Sequence, residues 1–424
     1  MKHLSKQLQF INDVYNHATD IGVIRLKARK DEYSNRVIHI EEKPLVNFAT
    51  NNFLGFETDP RVKEAAIDGI NRYGVFTSVS RTYFSYEHYL ELEDKLEKIF
   101  GLPVFISNNT SLGHFSYLPI IIGKNDAIIT DQFLHASVQV AVQYMKGGGV
   151  YNEMIRHNKM DDLEARIKVL SESYDRVWYL ADSVYSMHGD VAPMKDIEVL
   201  LNTYDKFHVY IDDAHGMSWI GENGKGYCFH SIPKHEKLYA ICALNKGFGG
   251  TSAALVFPNK ETKELVHNCG FPVIFSSPTM HAGVTAASKI ADIHLSVEIY
   301  EKQIMLSERI EYFNRRAKEL NLPLANKCHT PIFYLGLGSL EEVFRFSKHL
   351  QSRGFLMNVA SAPSVPMNQS GLRFILGLHQ TIDDIENLLC EIAQFMEDLE
   401  KTGQFNRENI MKVFRRAERK RELI

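Results

Sequence analysis

Residues 239–250 read Tyr239-Ala-Ile-Cys-Ala-Leu-Asn-Lys-Gly-Phe-Gly-Gly250, so a run of apolar and small residues ends in one lysine, Lys246. Three glycines follow Lys246 within four positions, and a short apolar run from Ala253 to Phe257 comes next. This pattern predicts a buried strand, a tight turn that glycine permits, and a second strand. A lysine in such a turn is poorly solvated, which favours its neutral, nucleophilic form and hence Schiff-base chemistry. A surface lysine in a glycine-rich turn is the alternative.

Similar short apolar segments alternate with helical patterns between about residue 60 and residue 280. The predicted strands of this region are Val104–Ser107, Ala127–Thr130, Val177–Leu180, Phe207–Ile211, Leu238–Leu244 and Ala253–Phe257. Such alternation predicts an α/β fold with a mostly parallel sheet that helices cover on both faces. Sheets of this kind bind ligands at the carboxyl ends of their strands.

An acidic pair ends one of these strands. The segment 209–216 reads Val-Tyr-Ile-Asp-Asp-Ala-His-Gly, which leaves Asp212 partly desolvated at the strand end and His215 just beyond it. A buried carboxylate is costly without a cationic partner. A protonated pyridine nitrogen would be such a partner, and it would keep a pyridoxal ring an effective electron sink. A helix N-cap or an ion pair with a neighbouring Lys or Arg is the alternative.

Three further segments place polar residues just past predicted strands. His135 could stack on a planar cofactor or be an ordinary loop histidine, and Ser186 is a candidate hydrogen-bond donor to a phenolate. A stretch that reads Ser-Asn-Asn-Thr-Ser precedes an apolar helical run and contains Asn108, Asn109 and Thr110. A helix N-terminus with such residues can bind phosphate, although ordinary helix capping uses the same residue types.

Composition narrows the class of protein. The chain has 424 residues, 45% hydrophobic and 24% charged, with a net charge of −4, so its charge balance gives no indication of nucleic-acid binding. Its five cysteines are scattered and form no CxxC motif, which indicates free thiols and argues against a zinc site, and we predict no metal. Without a signal-peptide pattern or an apolar run of about 18 residues, we expect a cytoplasmic protein.

The pattern along the chain predicts four parts. They are an N-terminal helix and arm (1–55), a large domain (56–290), a smaller α+β domain (291–400) and a basic helical tail (401–424). A long, charged helical pattern over residues 285–320 would connect the large and small domains.

Two helices of the small domain carry N-terminal signals. Ser339 with Glu342 three residues later indicates a capping box, and that helix would stop near Gly354. A final helix would begin at Thr381 with Asp384 and would bury one apolar face.

Longer motifs resemble those of one enzyme family. Residues 47–55 read Asn-Phe-Ala-Thr-Asn-Asn-Phe-Leu-Gly, residues 186–190 read Ser-Met-His-Gly-Asp, and Ile-Asp-Asp-Ala-His at 211–215 is followed by Gly-Glu-Asn-Gly-Lys-Gly at 221–226. These motifs, within a likeness over about residues 45–398, resemble the α-oxoamine synthases. That fold-type-I pyridoxal-phosphate family includes aminooxononanoate synthase, ketobutyrate-CoA ligase, aminolevulinate synthase and serine palmitoyltransferase.

The resemblance implies a cofactor, pyridoxal 5′-phosphate, and assigns residues to it. Lys246 would form the Schiff base and move the substrate proton, and Asp212 would pair with the pyridine nitrogen. His135 would stack on the ring, while His215 and Ser186 would contact the ring oxygen. The large domain would be the one that binds the cofactor.

The same resemblance assigns substrate and subunit contacts. Arg373, in Gly-Leu-Arg-Phe, matches the arginine that holds the amino acid carboxylate, a task that suits a guanidinium fork. Asn51 and Phe76 would also face substrate. Ser277 matches a phosphate contact that is made from a second subunit, so a homodimer with a shared active site is implied.

Several positions depart from the family pattern. Ala243 stands where a threonine usually contacts phosphate, and the aromatic phosphate loop of the family is replaced by Ser107–Ser111. Phe76 and Val79 stand where the family has glycines that line the substrate approach. We therefore expect a reshaped acyl or thioester pocket and an unusual acyl donor.

The tail Arg407–Ile424 is rich in Lys and Arg, with Ile410, Val413, Phe414 and Ala417 at helical spacing. A basic amphipathic helix could bind an acidic carrier protein or an anionic membrane surface. A solvated terminal helix is the favoured alternative.

The implied reaction is a decarboxylating, Claisen-type condensation of a small amino acid with an acyl thioester, either acyl-CoA or acyl carrier protein, which gives an α-amino ketone for lipid or amino-ketone biosynthesis. A fold-type-I aminotransferase or lyase would also explain Lys246 and Asp212. A non-catalytic subunit that pairs with an active partner is a further alternative.

Overall fold

The computed structural model describes residues 5–29, 34–325, 328–362 and 364–414. The chain forms two compact units. The first, unit 1, contains residues 1–51, 187–190 and 305–424, and the second, unit 2, contains residues 52–186 and 191–304. The predicted large domain falls mostly within unit 2, while the domain boundaries proposed from the sequence stay predictions.

The described helices and strands follow one another in a largely alternating order. The helices are α1 Lys6–Ile21, α2 Pro60–Tyr73, α3 Glu87–Phe100, α4 Thr110–Ile121, α5 Ala136–Gly147, α6 Met160–Leu170, α7 Met194–Thr203, α8 Gly226–Ser231, α9 Lys260–Cys269, α10 Phe271–Phe275, α11 His281–His294, α12 Glu298–Glu319, α13 Leu340–Ser352 and α14 Ile382–Lys401. The strands are β1 Val37–Ile40, β2 Lys43–Asn47, β3 Val104–Ser107, β4 Ala127–Asp131, β5 Tyr151–Ile155, β6 Val177–Asp182, β7 Phe207–Asp212, β8 Leu238–Ala243, β9 Ala253–Val256, β10 Ile332–Gly338, β11 Phe355–Leu356, β12 Asn358–Ala360 and β13 Ser370–Ile375.

Unit 2 is built on a seven-stranded sheet in the order β3-β9-β8-β7-β6-β4-β5. Neighbouring strands are parallel except for β9, which is antiparallel to both β3 and β8. The predicted mostly parallel sheet is thus confirmed. Three central strands (β4, β6 and β8) are buried along their whole length, and β7 is buried except at the half-buried His208, as expected of a sheet covered on both faces.

Close packing of α4 against this sheet places a buried histidine beside β7. A Cβ on Gly113 of α4 would come within 2.3 Å of Cδ1 of Ile241 in β8, so glycine allows this close contact without a shift of Ile241. The next residue, His114, is consequently pressed against β7 and is fully buried.

Unit 1 has two three-stranded sheets, in the orders β1-β2-β11 and β10-β13-β12. Thr381 and Asp384 form the expected capping box at the start of α14. At α13 the Ser339 hydroxyl accepts from the Glu342 N–H, but the structure gives no reciprocal bond, so only half of the predicted box is present.

The helical pattern over residues 285–320 corresponds to two helices. The chain forms α11, which ends at His294, and α12, which begins at Glu298. The division between the two units falls inside α12. Along the described ranges, no helix is long and apolar enough to cross a membrane.

Candidate active site

Lys246 lies in the tight connection between β8 and β9, as the sequence predicts. The connection is closed by hydrogen bonds from the Gly249 N–H to the Lys246 carbonyl (2.8 Å) and from the Leu244 N–H to the Ser252 carbonyl (3.0 Å). Gly249 has φ +77°, and a Cβ on Gly247 would lie 2.6 Å from a backbone oxygen. The glycines therefore allow the turn that holds the half-buried Lys246 side chain at the sheet edge.

His215 is a polar partner of this lysine. Its Nε2 lies 2.9 Å from Lys246 Nζ, and its backbone carbonyl accepts a hydrogen bond from Trp219 Nε1. His215 follows β7 by three residues, whereas Lys246 follows β8, so the pair joins the carboxyl ends of two neighbouring strands. An amine and an imidazole at hydrogen-bond distance can exchange a proton.

Asp212 is the last residue of β7 and is 4% exposed. Burial by itself would raise its pKa, but His114, whose Nε2 lies 3.3 Å from Asp212 Oδ2, and the charge of Lys246 outweigh burial and lower the pKa. Tyr210 Oη lies 2.9 Å from the other ring nitrogen of His114. The result is an ionised carboxylate at the strand end with a buried histidine behind it.

Two neighbouring acids are kept neutral by the same burial. Asp182 lies opposite Asp212 in the β6–β7 register, and burial together with the charge of Asp212 raises its pKa well above the usual range. Burial also raises the pKa of Asp213 to about 8. Asp212 is thus the residue of this acidic cluster that carries the negative charge.

His135 caps the N-terminus of α5. Its backbone N–H donates to Asp182 Oδ1 at 3.0 Å, and its Nδ1 accepts from the Ser137 backbone N–H at 3.3 Å. Burial lowers the pKa of the ring. Because Nδ1 acts as an acceptor, the neutral ring carries its proton on Nε2.

A polar network surrounds the N-terminus of α4. Asn109 is the N-cap and accepts from the Leu112 N–H at 2.9 Å. Asn108 donates to the Ser277 carbonyl at 2.7 Å and accepts from the Thr279 hydroxyl at 3.2 Å, and Thr279 in turn lies 2.9 Å from Ser252 Oγ. The candidate phosphate residues are therefore held together at one helix N-terminus, where backbone N–H groups favour an anion.

Three predicted residues have simpler surroundings. Ser186 and Thr110 are half-buried. Phe76 is 43% exposed on the loop between α2 and α3, and its neighbour Thr77 anchors that loop through a 2.7 Å hydrogen bond to Nε2 of the buried His281.

Within unit 1, Arg373 lies on β13 and is 8% exposed. Its Nη2 donates to Asn51 Oδ1 at 2.8 Å, while its buried Nε has no hydrogen-bond partner among the described residues. Burial lowers its pKa to about 10. A buried guanidinium with an amide on one side and an unused donor suits a carboxylate ligand.

The glycine-rich loop 221–226 has a structural role. His294, at the end of α11, donates from Nδ1 to the Asn223 carbonyl at 2.9 Å and is fully buried. Gly224 has φ +68°, and a Cβ there would lie 2.6 Å from His294 Nδ1. The glycine at position 224 is thus explained by packing against His294.

This histidine predicts an acid-sensitive fold. Burial lowers the pKa of His294 from 6.5 to about 4, so between those values the unfolded chain binds a proton that the folded chain excludes. The free energy of unfolding is therefore expected to fall as pH drops from 6.5 to 4, by up to about 3 kcal/mol from this group. The free energy of unfolding, measured by denaturant titration, should depend less on pH over this range in His294→Gln than in the wild type. The exposed His230 provides the control His230→Gln, which should keep the wild-type pH dependence. An unchanged pH dependence in His294→Gln would contradict the assignment.

These groups fit pyridoxal phosphate by their chemistry. Lys246 offers an amine, Asp212 an ionised buried carboxylate for a ring nitrogen, and His135 a neutral ring at a strand end. The α4 N-terminus offers N–H groups and hydroxyls for a phosphate. No cluster of three or more potential metal ligands occurs in the parts of the chain that the structure describes.

Sequence reasoning missed His114 and Asp182. A lone histidine in the apolar helix 110–121, directly after a glycine, was the available signal for His114. The close approach of Gly113 to β8 turns that pattern into a contact with Asp212. Asp182 ends a strand just as Asp212 does, yet only its burial shows that it stays protonated.

Comparisons with known proteins agree with this arrangement. A family model described as aminotransferase class I and II matches residues 43–392. The chain is 28% identical to 8-amino-7-oxononanoate synthase of Symbiobacterium thermophilum over 395 residues, which cover 92% of this chain and 98% of the relative. It is also 28% identical to 8-amino-7-oxononanoate synthase 1 of Bacillus subtilis over 403 residues, which cover 94% and 100%.

Two solved structures have the same fold. Serine palmitoyltransferase of Sphingomonas wittichii superposes with a TM-score of 0.85 at 21% identity, covering 95% of this chain and 100% of that chain. The 8-amino-7-oxononanoate synthase of Francisella tularensis superposes with a TM-score of 0.71 at 19% identity, covering 83% and 98%. The predicted fold-type-I architecture is confirmed.

Proposed function

The chain belongs to the aminotransferase class I and II family, and from that premise we propose that it acts as an α-oxoamine synthase. In this proposal it condenses an amino acid with an acyl thioester, with release of carbon dioxide and of the thiol, to leave an α-amino ketone. The nearly full-length match to two 8-amino-7-oxononanoate synthases supports this reaction. The structural observation that carries it is the 2.9 Å approach of Lys246 Nζ to His215 Nε2, at the strand ends where Asp212 is ionised.

Pyridoxal phosphate, when bound, supplies an electron sink that makes the α-carbon of an amino acid acidic. We assign its ring nitrogen to Asp212, its ring face to His135, and its ring oxygen to Ser186 and His215. Asn108, Asn109 and Thr110 would hold the phosphate. The hydroxyls of Ser252 and Thr279, in the same network, would take over from the threonine that Ala243 replaces.

The proton chemistry falls to Lys246 and its neighbour. Lys246 would hold the cofactor through its amine, and its Nζ would be the base that accepts the proton from the substrate α-carbon. His215 Nε2, at hydrogen-bond distance from Nζ, holds that amine in position. Arg373 would bind the substrate carboxylate through its unused guanidinium donors, with Asn51 fixing the plane of the fork.

The predicted homodimer belongs to the same proposal. In the structure, the Ser277 carbonyl accepts a hydrogen bond from Asn108 of its own chain. The contact of Ser277 with a second subunit therefore stays a prediction, and so do the cytoplasmic location and the choice between coenzyme A and carrier protein as donor.

One experiment tests the reaction against its rivals. The purified protein, loaded with pyridoxal phosphate, would be titrated with glycine, alanine, serine and cysteate while its visible absorption is recorded. We expect a spectral change with one amino acid, and carbon dioxide release from it only when an acyl thioester is added. Conversion of the cofactor to its amine form by an amino acid alone would identify an aminotransferase, and protein without visible absorption would indicate a non-catalytic subunit.

Phe76 is expected to restrict the acyl donor. Phe76→Gly removes an exposed ring at a position where the family pattern that this sequence resembles has glycine, and we expect relative kcat/KM between donors to change by at least about tenfold. The measurement is kcat/KM for acyl thioesters of increasing chain length. Phe84, 52% exposed on the same loop, supplies the matched control Phe84→Gly. An unchanged donor profile in Phe76→Gly would show that this ring does not select the donor.

A further inference from the structure

The C-terminal segment 403–414, called here the C-terminal clamp, is docked on unit 1. It lies beyond residue 392, where the family match ends. Phe414 is 6% exposed, and Ile410 is partly buried beside it. The alternative of a solvated terminal helix is therefore wrong for Ile410 and Phe414. Ala417 lies outside the described residues.

The helical part of the clamp, residues 407–414, packs against two glycines of β10. A Cβ on Gly336 would lie 2.4 Å from the Phe414 ring, and a Cβ on Gly338 would lie 2.9 Å from Cδ1 of Ile410. A side chain added at Gly336 would require the Phe414 ring to shift, so the ring and the strand are closely packed.

Polar contacts fix the start of the clamp. Arg407 Nη1 donates to the carbonyls of Leu320 and Asn321, each at 3.2 Å, and its Nη2 pairs with Glu400 at 3.2 Å. Asn406 caps the first turn by accepting from the Asn409 N–H at 2.9 Å. The segment is therefore held at its start by hydrogen bonds and at Phe414 by apolar packing.

Phe414 lies in one apolar cluster with Ala360, the last residue of β12, and with Val365, which is 5% exposed. The third contact is Tyr334, whose hydroxyl donates to the Gln369 carbonyl at 2.7 Å. Phe414 therefore packs in one cluster with Val365 and with the tyrosine that bonds to Gln369.

The same strands hold the buried guanidinium. Arg373 lies opposite Tyr334 in the β10–β13 register and opposite Asn358 in the β12–β13 register. Residues 364–369 lead directly into β13, which carries Arg373. Phe414 and Arg373 are therefore linked within one unit by Tyr334 of β10, which lies in the cluster of Phe414 and opposite Arg373.

We propose that the C-terminal clamp is a positioning element for Arg373, which sets amino acid binding by fixing residues 364–369. This inference rests on the proposed role of Arg373 in binding the substrate carboxylate. Because the clamp uses Ile410 and Phe414 internally, these two side chains are not part of a surface for a carrier protein or a membrane.

Phe414→Ala tests the clamp in the full-length, cofactor-loaded protein. Loss of the ring should increase hydrogen exchange in residues 364–369 and raise the KM for the amino acid by about 10- to 100-fold, the range that a small misplacement of a binding group produces. The KM for the acyl thioester and the visible absorption of the bound cofactor should stay unchanged. Gly336→Ala should reproduce the effect from the opposite side of the contact, and the double variant should be less than additive.

Two controls separate positioning from general destabilisation. Lys412→Ala, on the exposed side of the same helix, should change neither exchange nor KM. Arg373→Lys should raise the amino acid KM without altering exchange in residues 364–369. Unchanged hydrogen exchange in Phe414→Ala would show that the clamp does not fix this segment. Faster hydrogen exchange with an unchanged KM for the amino acid would show that the clamp does not position Arg373. Wild-type protein without thioester-dependent carbon dioxide release would instead overturn the proposed function, while the exchange result would still decide the clamp.

Discussion

Replacement of Lys246 by alanine is expected to lower kcat/KM by at least about 10³-fold and to abolish the visible absorption that a covalently bound cofactor gives. Lys246 Nζ is the amine at the strand ends, and it lies 2.9 Å from His215 Nε2. Alanine removes both the group that binds the cofactor covalently and the base that moves the substrate proton. The measurements are the absorption spectrum and the rate of thioester-dependent carbon dioxide release.

The control for this variant is Lys260→Ala, since Lys260 is an exposed lysine at the start of α9. It should behave as the wild type in both measurements. Small primary amines added to Lys246→Ala should restore part of the proton transfer but not the covalent attachment. A Lys246→Ala protein that kept its spectrum and its rate would show that another residue carries the chemistry.

The second large effect is expected at Asp212. Asp212→Asn replaces the buried ionised carboxylate by a neutral amide of the same shape, so kcat/KM should fall by about 10²- to 10³-fold because a charge aimed at the reacting system is lost. The stability of the protein should change much less, since the amide still accepts the Ala214 N–H that donates to Oδ1 at 3.0 Å. Kinetics and thermal unfolding, measured together, separate the two effects.

Asp213 supplies an adjacent, matched control. Burial raises its pKa to about 8, so at neutral pH most of its carboxyl groups are already uncharged. Its two oxygens accept from the Ser183 hydroxyl and from the Cys228 N–H, and the serine hydroxyl can reverse its direction to suit an amide. Asp213→Asn should therefore change kcat/KM by less than about tenfold. Equal losses at positions 212 and 213 would contradict the assignment of the charge to Asp212.

The strands of unit 2 were predictable because their chemistry is local. Val104–Ser107 was predicted with the correct ends, and five other strands were predicted within two residues at each end. β5 was missed because Tyr151–Ile155 is an edge strand with polar and exposed positions, which gives no continuous apolar run. The break between α11 and α12 was missed because helical periodicity continues across residues 295–297.

The candidate-site residues that directly follow apolar strands could be predicted from the sequence. The sequence led to Lys246, Asp212, His135 and His215 from their positions after apolar runs. The charge states of the aspartates were not predictable, because they depend on burial and on His114, which reaches Asp212 from a different element. The pairing of Arg373 with Asn51 likewise joins residues 322 positions apart, which no local pattern reports.

The discontinuous course of unit 1 has a consequence for synthesis on the ribosome. Strand β2 pairs with β11, and Arg36 makes two 2.8 Å hydrogen bonds with Asp384, 348 residues later. At a translation rate of about 5–20 residues per second, the amino-terminal segment waits roughly 20–70 s for these partners. Residues 52–304 emerge as a nearly continuous stretch and can collapse meanwhile, so the order of folding runs from the middle of the chain outward. Nascent protein is therefore most exposed to chaperones and proteases at its first fifty residues.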